Sequence, residues 1–305
     1  MLITVFTPTY NRAHLLPRLY ESLCKQTFRD FEWVIVDDGS GDDTTSVVDQ
    51  LSIVNYQFSI RYIYQKNGGK HRAINRGVKE ARGELFFIAD SDDLLPPDAL
   101  ETVAKVYDDI KGDSSFAGVC GLDASLDGKV IGSGLPEEVI DDTSIAIRFK
   151  LGVTGDMKEV FRTDVLKEFP FPEIEGERFC PEMLVWNRIA TKYKLRFINQ
   201  VIYWAEYQED GISSGIVRAR MNSPIASMMT YAEMIQYQDV PLKTKIKSAI
   251  NYWRFRFASP TGGKATGRRV SGNDWEGASK LKWYWNWVMP IGAVMHIVDV
   301  HKSKK

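Results

Sequence analysis

The stretch Leu85-Phe86-Phe87-Ile88-Ala89-Asp90-Ser91-Asp92-Asp93 ends an apolar run in three carboxylates within four residues. A short apolar run bounded by charge reads as a buried strand. Such a strand delivers Asp90 and Asp92 at its carboxyl end, where open α/β sheets bind ligands. Side chains at i and i+2 of an extended segment point the same way. Two hard oxygen ligands on one side suit magnesium or manganese bridging a diphosphate. A solvated acidic turn that leads into a helix near Pro96-Pro97 is the other reading of these residues.

Outward from this stretch, strand and helix patterns alternate over the first ~110 residues, as in a parallel sheet with helical crossovers. Leu2–Thr7, Phe31–Val36, Ile60–Tyr64 and Glu84–Ala89 read as strands. Arg12–Lys25 reads as a helix with Leu15, Leu16, Leu19 and Leu23 on one face. Asp42, Asp43 and Thr44 can cap a second helix, and Lys70–Arg82 forms a third with Gly83 as its cap. The strands end in Thr7-Pro8-Thr9-Tyr10-Asn11-Arg12, Asp37-Asp38-Gly39-Ser40, Asn67-Gly68-Gly69-Lys70 and Asp90-Ser91-Asp92-Asp93. A parallel sheet brings all four segments to one edge.

Past Phe116 the pattern is mixed. Leu126-Asp127-Gly128-Lys129-Val130 reads as a hairpin turn, Lys158–Phe161 as a short strand and Pro181–Lys192 as a helix. Ile225–Ile235 and Leu242–Phe257 read as helices, followed by a break at Ser259-Pro260-Thr261-Gly262-Gly263. Leu281 to Val298 is apolar, Trp-rich and flanked by lysines, with Pro290 interrupting it. That composition suits an interfacial membrane helix over 281–305, or a helix packed on protein.

The chain has 305 residues, enough for one large domain or a domain with an appendage, and its 44% hydrophobic and 26% charged content is that of a soluble globular protein. A net charge of −1 argues against nucleic-acid binding. The charge is uneven: residues 241–305 carry 13 Lys and Arg against 3 Asp and Glu, a net of +10, which leaves −11 for the first 240. Such a tail points to an anionic partner such as a membrane surface. Cys24, Cys120 and Cys180 suggest neither a disulfide framework nor a zinc site and fit a reducing cytoplasm. The opening Leu2-Ile3-Thr4-Val5-Phe6 reads as a strand rather than a signal peptide, and no run of ~20 apolar residues predicts a spanning helix.

Taken together, these motifs resemble the family 2 glycosyltransferases, inverting enzymes of the GT-A fold, over roughly residues 2–214. The resemblance implies an α/β, GT-A-like fold: a Rossmann-like mixed sheet flanked by helices, with a helical C-terminal extension. Residues 1–215 would form the catalytic domain, 1–110 its nucleotide-binding half and 111–215 its acceptor and catalytic-base half, and residues 216–305 the extension. Thr7, Pro8, Tyr10 and Arg12 correspond to the family's first nucleotide loop, and Asp38 to the carboxylate of the second. Asn67, Gly69 and Lys70 follow the third strand, with Lys70 as a phosphate contact. Asp90-Ser91-Asp92 matches the D-x-D motif, with Asp90 and Asp92 as metal ligands and Asp90 and Ser91 beside the nucleotide. The family usually carries Glu-Asp at its catalytic base; here Pro181-Glu182 stands in that place, so Glu182 is the candidate base and Glu177 the second choice. Asp156, Arg162 and Trp186 fall where related enzymes bind sugar and acceptor, and Tyr207 to Ser213, with Asp210 and Ser213, where a segment closes over the diphosphate.

The chemistry asks for the same parts. Transfer from a nucleoside diphosphate needs a base and ribose site, neutralisation of the leaving diphosphate by Mn2+ or Mg2+, and a general base for the acceptor hydroxyl. The implied activity is transfer of a hexosyl or N-acetylhexosaminyl group from a UDP-sugar to a glycan or lipid-linked acceptor, in the cytoplasm or on the inner face of the membrane, for surface polysaccharide. The alternatives are an inactive nucleotide-sugar binder, a sugar nucleotidyltransferase and a phosphatase. The second wants a glycine-rich loop after strand one, where this chain has Thr-Tyr-Asn-Arg, and the third places its aspartates after the first strand rather than the fourth.

Overall fold

The computed structural model describes residues 1–55, 57–206, 215–259, 270–271 and 281–302. In chain order it runs β1 (Ile3–Thr9), α1 (Leu16–Cys24), β2 (Phe31–Asp37), α2 (Thr44–Val54), β3 (Ser59–Tyr64), α3 (Lys70–Glu80), β4 (Leu85–Ile88) and α4 (Ala99–Asp108). Then come β5 (Phe116–Ala124), β6 (Val139–Asp142), α5 (Ser144–Phe149), β7 (Met157–Arg162), α6 (Thr163–Glu168), β8 (Glu173–Ile174), α7 (Glu182–Ala190) and β9 (Lys194–Trp204). The remainder holds α8 (Ile216–Asn222), α9 (Pro224–Met234), α10 (Leu242–Arg256), β10 (Val270–Ser271), a 3-10 helix (Trp283–Val288) and α11 (Met289–Lys302). Two compact units divide these elements: Met1–Pro170 with Arg188–Gln208, and Phe171–Asn187 with Glu209–Lys305.

The first unit is built on one eight-stranded sheet in the order β3-β2-β1-β4-β7-β5-β9-β6. β1 to β4 are mutually parallel where they pair. β7 runs antiparallel to both β4 and β5, and β9 pairs parallel with β5. β1, β2, β4 and β5 are buried along their whole length, as apolar-rich strands covered on both faces are. Leu16, Leu19 and Leu23 of α1 and Val103 and Tyr107 of α4 join Val5, Trp33 and Phe87 in one core. Each such side chain contributes about 1.5–3 kcal/mol of burial.

Among the boundaries that differ from the sequence reading are those of α1 and α3. α1 begins at Leu16 rather than Arg12, because Pro17 belongs in a first turn and has no N–H to give a preceding one. α3 stops at Glu80 with Ala81 as its cap, so Gly83 is not the capping residue. Gly83 serves a close approach instead, since a Cβ there would stand 2.3 Å from the Thr4 nitrogen of β1. The turn at 125–129 is present, with Gly128 N–H donating to the Ser125 carbonyl at 2.8 Å.

In the second unit β8 pairs antiparallel with β10, Ile174 opposite Val270. Glu177 is buried and accepts the backbone N–H groups of Ile225 (2.7 Å) and Ala226 (3.0 Å) in the first turn of α9. Residues 171–187 group with the C-terminal part, whereas the family resemblance implied a single boundary at 215. α10 packs on α9, with Tyr231 and Phe255 stacked at 5.9 Å. It also packs on α11, where Arg254 grips Asp299 at 2.7 Å. Pro290 is the second residue of α11 and starts it rather than interrupting it. The predicted break at Ser259 continues from Pro260 outside the described residues. Among the described residues no helix is long and apolar enough to cross a membrane.

Candidate active site

The site lies at the carboxyl edge of β1 to β4. There the first and second loops lock together: Asn11, at φ 53°, accepts the Gly41 N–H at 2.8 Å, and its own N–H donates to Ser40 Oγ at 2.8 Å. Asp37 holds the turn, accepting Ser40 N–H at 2.8 Å and the Tyr62 hydroxyl at 2.6 Å. Tyr10 is left 49% exposed on this rim.

Asp38 faces inward. Its carboxylate accepts Gln65 Nε2 (2.7 Å), Gly68 N–H (2.9 Å) and Gly69 N–H (2.7 Å), while Asn67 Nδ2 donates to its carbonyl at 2.8 Å. Three donors fill most of the roughly four lone-pair positions of a carboxylate. Asp38 therefore clamps the third loop. Gly39 makes the contact possible: at φ 85°, a Cβ there would lie 2.7 Å from the Asn67 nitrogen.

The clamped loop starts α3 at Lys70, whose Nζ donates to Asp90 Oδ2 at 2.8 Å. Lys70 is the first residue of α3, as its place in the sequence pattern predicts. Arg12 Nη1 pairs with Asp92 Oδ2 at 3.3 Å. Burial raises the Asp90 carboxyl, but Lys70 above all, then Lys158 and Arg12, hold it below the usual carboxylate range. Burial and then the charge of Asp90 push Asp92 up. Ser91 between them is buried.

Tyr203 and Asp123 were not singled out in the sequence, and Asp93 and Lys158 were given no role of their own there. Tyr203, at the end of β9, accepts the Asp90 N–H at 2.8 Å and donates to Asp93 Oδ2 at 2.8 Å. Asp93 also accepts the Glu206 N–H at 2.8 Å, and burial followed by the charge of Asp90 pushes its carboxyl up to about 7. Lys158 of β7 places Nζ 3.5 Å from the centroid of the Tyr203 ring. Asp123, at the end of β5, is 5% exposed with an Oδ1 that no protein group bonds, and burial pushes it up to about 6. Asp156 acts electrostatically on Asp123 and is exposed in the loop before β7. Only a polar residue closing an apolar strand marked Tyr203 and Asp123 in the sequence.

Other expected residues lie elsewhere. Thr7 and Pro8 are buried within β1, and Thr7 Oγ1 accepts Trp33 Nε1 at 2.9 Å. Arg162 pairs in register with Leu85, at the amino end of β4. There it binds Asp164 and the Phe116 carbonyl (3.2 Å) beside a cavity of about 340 Å³, so it does not join the diphosphate or sugar side. In the second unit Glu182 opens α7, and Trp186 packs edge-on against Phe171 at 5.6 Å. Glu177 is engaged as the buried cap of α9. Tyr207 to Ser213 lie outside the described residues.

His71, in α3, is buried with Nδ1 unbonded, and burial followed by the charge of Arg72 lowers it to about 4. It is a buried residue of α3. Its folded value lies below the unfolded ~6.5, so the unfolded chain binds the extra proton and stability falls as pH drops from about 6.5 to 4. The expected loss is about 3 kcal/mol by urea unfolding at pH 7 and pH 4. His71→Leu should remove that part of the slope; an equal slope in the variant would refute it.

Residues 4–120 match the family described as Glycosyl transferase family 2. Residues 4–120 are therefore a family 2 glycosyltransferase domain. The transferase is 28% identical over 214 residues to glycosyltransferase GlyG of Streptococcus pneumoniae, covering 66% of this chain and 69% of that one. It is 28% identical over 224 residues to the GalNAc(5)-diNAcBac-PP-undecaprenol beta-1,3-glucosyltransferase of Campylobacter jejuni, covering 70% and 67%. Among solved structures, that of S. aureus TarS 1-349 in complex with UDP-GlcNAc superposes with a TM-score of 0.63 at 22% identity, over 86% of this chain and 75% of that one. That likeness shows the GT-A fold of the transferase.

Proposed function

We propose that the transferase moves a hexosyl or N-acetylhexosaminyl group from a UDP-sugar to a hydroxyl of a glycan or lipid-linked acceptor, with inversion and with a divalent cation. The pairing of Asp90 with Lys70 and of Asp92 with Arg12 carries this reading. Two carboxylates and two cations at one sheet edge can exchange partners when a diphosphate arrives. Lys70 and Arg12 then turn to phosphate oxygens, freeing the carboxylates.

The residues fit a nucleotide-borne cation. Among the described residues no cage of three or more His, Cys, Asp or Glu side chains exists. Magnesium or manganese held by phosphates needs only one or two carboxylates. Asp92, pushed up beside Asp90, has the charge excess such a cation relieves. When bound there, the cation neutralises charge developing on the leaving diphosphate.

This chain's residues do the rest. Tyr10 offers a face for the base. Asp123, Asp156 and Lys158 offer hydrogen bonds to the donor sugar. Glu182 takes the proton from the acceptor hydroxyl as its oxygen bonds the anomeric carbon and the bond to the diphosphate breaks. Direct displacement inverts that carbon. The UDP donor and lipid-linked acceptor are supported by the ligand of TarS and the name of the Campylobacter relative.

A thermal-shift screen of nucleoside diphosphates, each with and without manganese, tests the donor site. UDP with manganese at ~100 times its Kd should add ~2.7 kcal/mol of stability, absent in Asp92→Ala. No stabilisation by any nucleoside diphosphate would sink the reading.

A further inference from the structure

The end of the second unit carries its polarity inverted for a helix in water. α11 and the 3-10 helix before it turn Trp285, Val288, Gly292 and Asp299 toward protein. Gly292 sits so close to α10 that a Cβ would lie 2.6 Å from Trp253 Cβ, and Asp299 is gripped by Arg254. The opposite face exposes Trp283 (80%), Trp287 (60%), Val294 (61%) and Ile297 (66%), joined by Ile291 and Val298. At ~100° per residue, positions 287, 291, 294 and 298 share one stripe. Scattered exposed apolar residues need no explanation, but a continuous stripe does.

The stripe is framed by positive charge. Exposed Lys282 precedes it, exposed His301 and Lys302 close it, and α10 exposes Lys243 and Lys247. A second copy of this chain would oppose one net +10 segment to another, which like-charge juxtaposition disfavours. An anionic lipid surface matches both the apolar stripe and the charge. The 14 residues of α11 are too few to span a bilayer.

We propose that this face docks the protein on a membrane rich in anionic lipid, with α11 lying in the headgroup boundary and Trp283 and Trp287 as interfacial anchors. The inference stands whatever sugar is moved.

Co-sedimentation of the whole chain with vesicles tests it, comparing phosphatidylcholine alone with phosphatidylcholine plus phosphatidylglycerol. Binding should be at least about tenfold stronger to the anionic vesicles and should weaken with salt. Trp287→Ser with Val294→Asp should reduce it at least about tenfold, or about 1.4 kcal/mol. Both positions are exposed, so circular dichroism and Tm should match the parent. No binding to either vesicle, undiminished binding by the variant, or a dimer in sedimentation velocity that these substitutions dissolve would each overturn the proposal.

Discussion

Asp92→Asn is expected to lower kcat about 10²–10³-fold while leaving Tm nearly unchanged. The two effects separate because of where Asp92 sits. Its ion pair with Arg12, at 3.3 Å and partly exposed, contributes about 0–1 kcal/mol. Its charge is crowded by Asp90, so neutralising it relieves repulsion in the unliganded protein. A side chain that costs stability yet is required for turnover is there for its ligand. Steady-state kinetics beside thermal unfolding decide it: parallel loss of activity and Tm, or no loss of activity, would contradict the assigned role.

Glu182→Gln should reduce kcat by about 10²–10⁴ with donor affinity retained. The amide keeps the length of the side chain and an acceptor oxygen at the start of α7. It loses the negative charge at a helix N-terminus, worth about 0.3–1 kcal/mol. Titration calorimetry with the nucleotide, set against turnover, separates the steps. Full turnover in the variant would remove Glu182 as the base, and loss of nucleotide binding would move it to the donor side.

The half of the sheet from β1 to β4 could be read from residues because each strand is a local pattern: an apolar run, a polar turn and a helix with its own face. Strand direction beyond β4 has no such local mark. Lys158 and Arg162 sit four residues apart on one short strand. Because β7 runs antiparallel to β4, Lys158 reaches the catalytic edge and Arg162 the opposite one. No periodicity in the sequence carries that sign. Asp38 shows a different limit. A carboxylate at a strand end suggests a ligand, and only the folded chain shows that Gln65, Gly68 and Gly69 reach it first.

The Tyr203 hydroxyl ties Asp90 to a strand 113 residues further along the chain. Long-range pairings of this kind close late, after the entropy of the intervening loop has been overcome. During synthesis the first four strands emerge and can assemble well before β9 leaves the ribosome. The Asp90 turn then lacks its brace, and Asp93 lacks both of its donors. A nascent chain is thus expected to hold a nearly complete nucleotide half in an unproductive state. Competence would arrive at once with β9, so a product truncated before it would not compete for the donor.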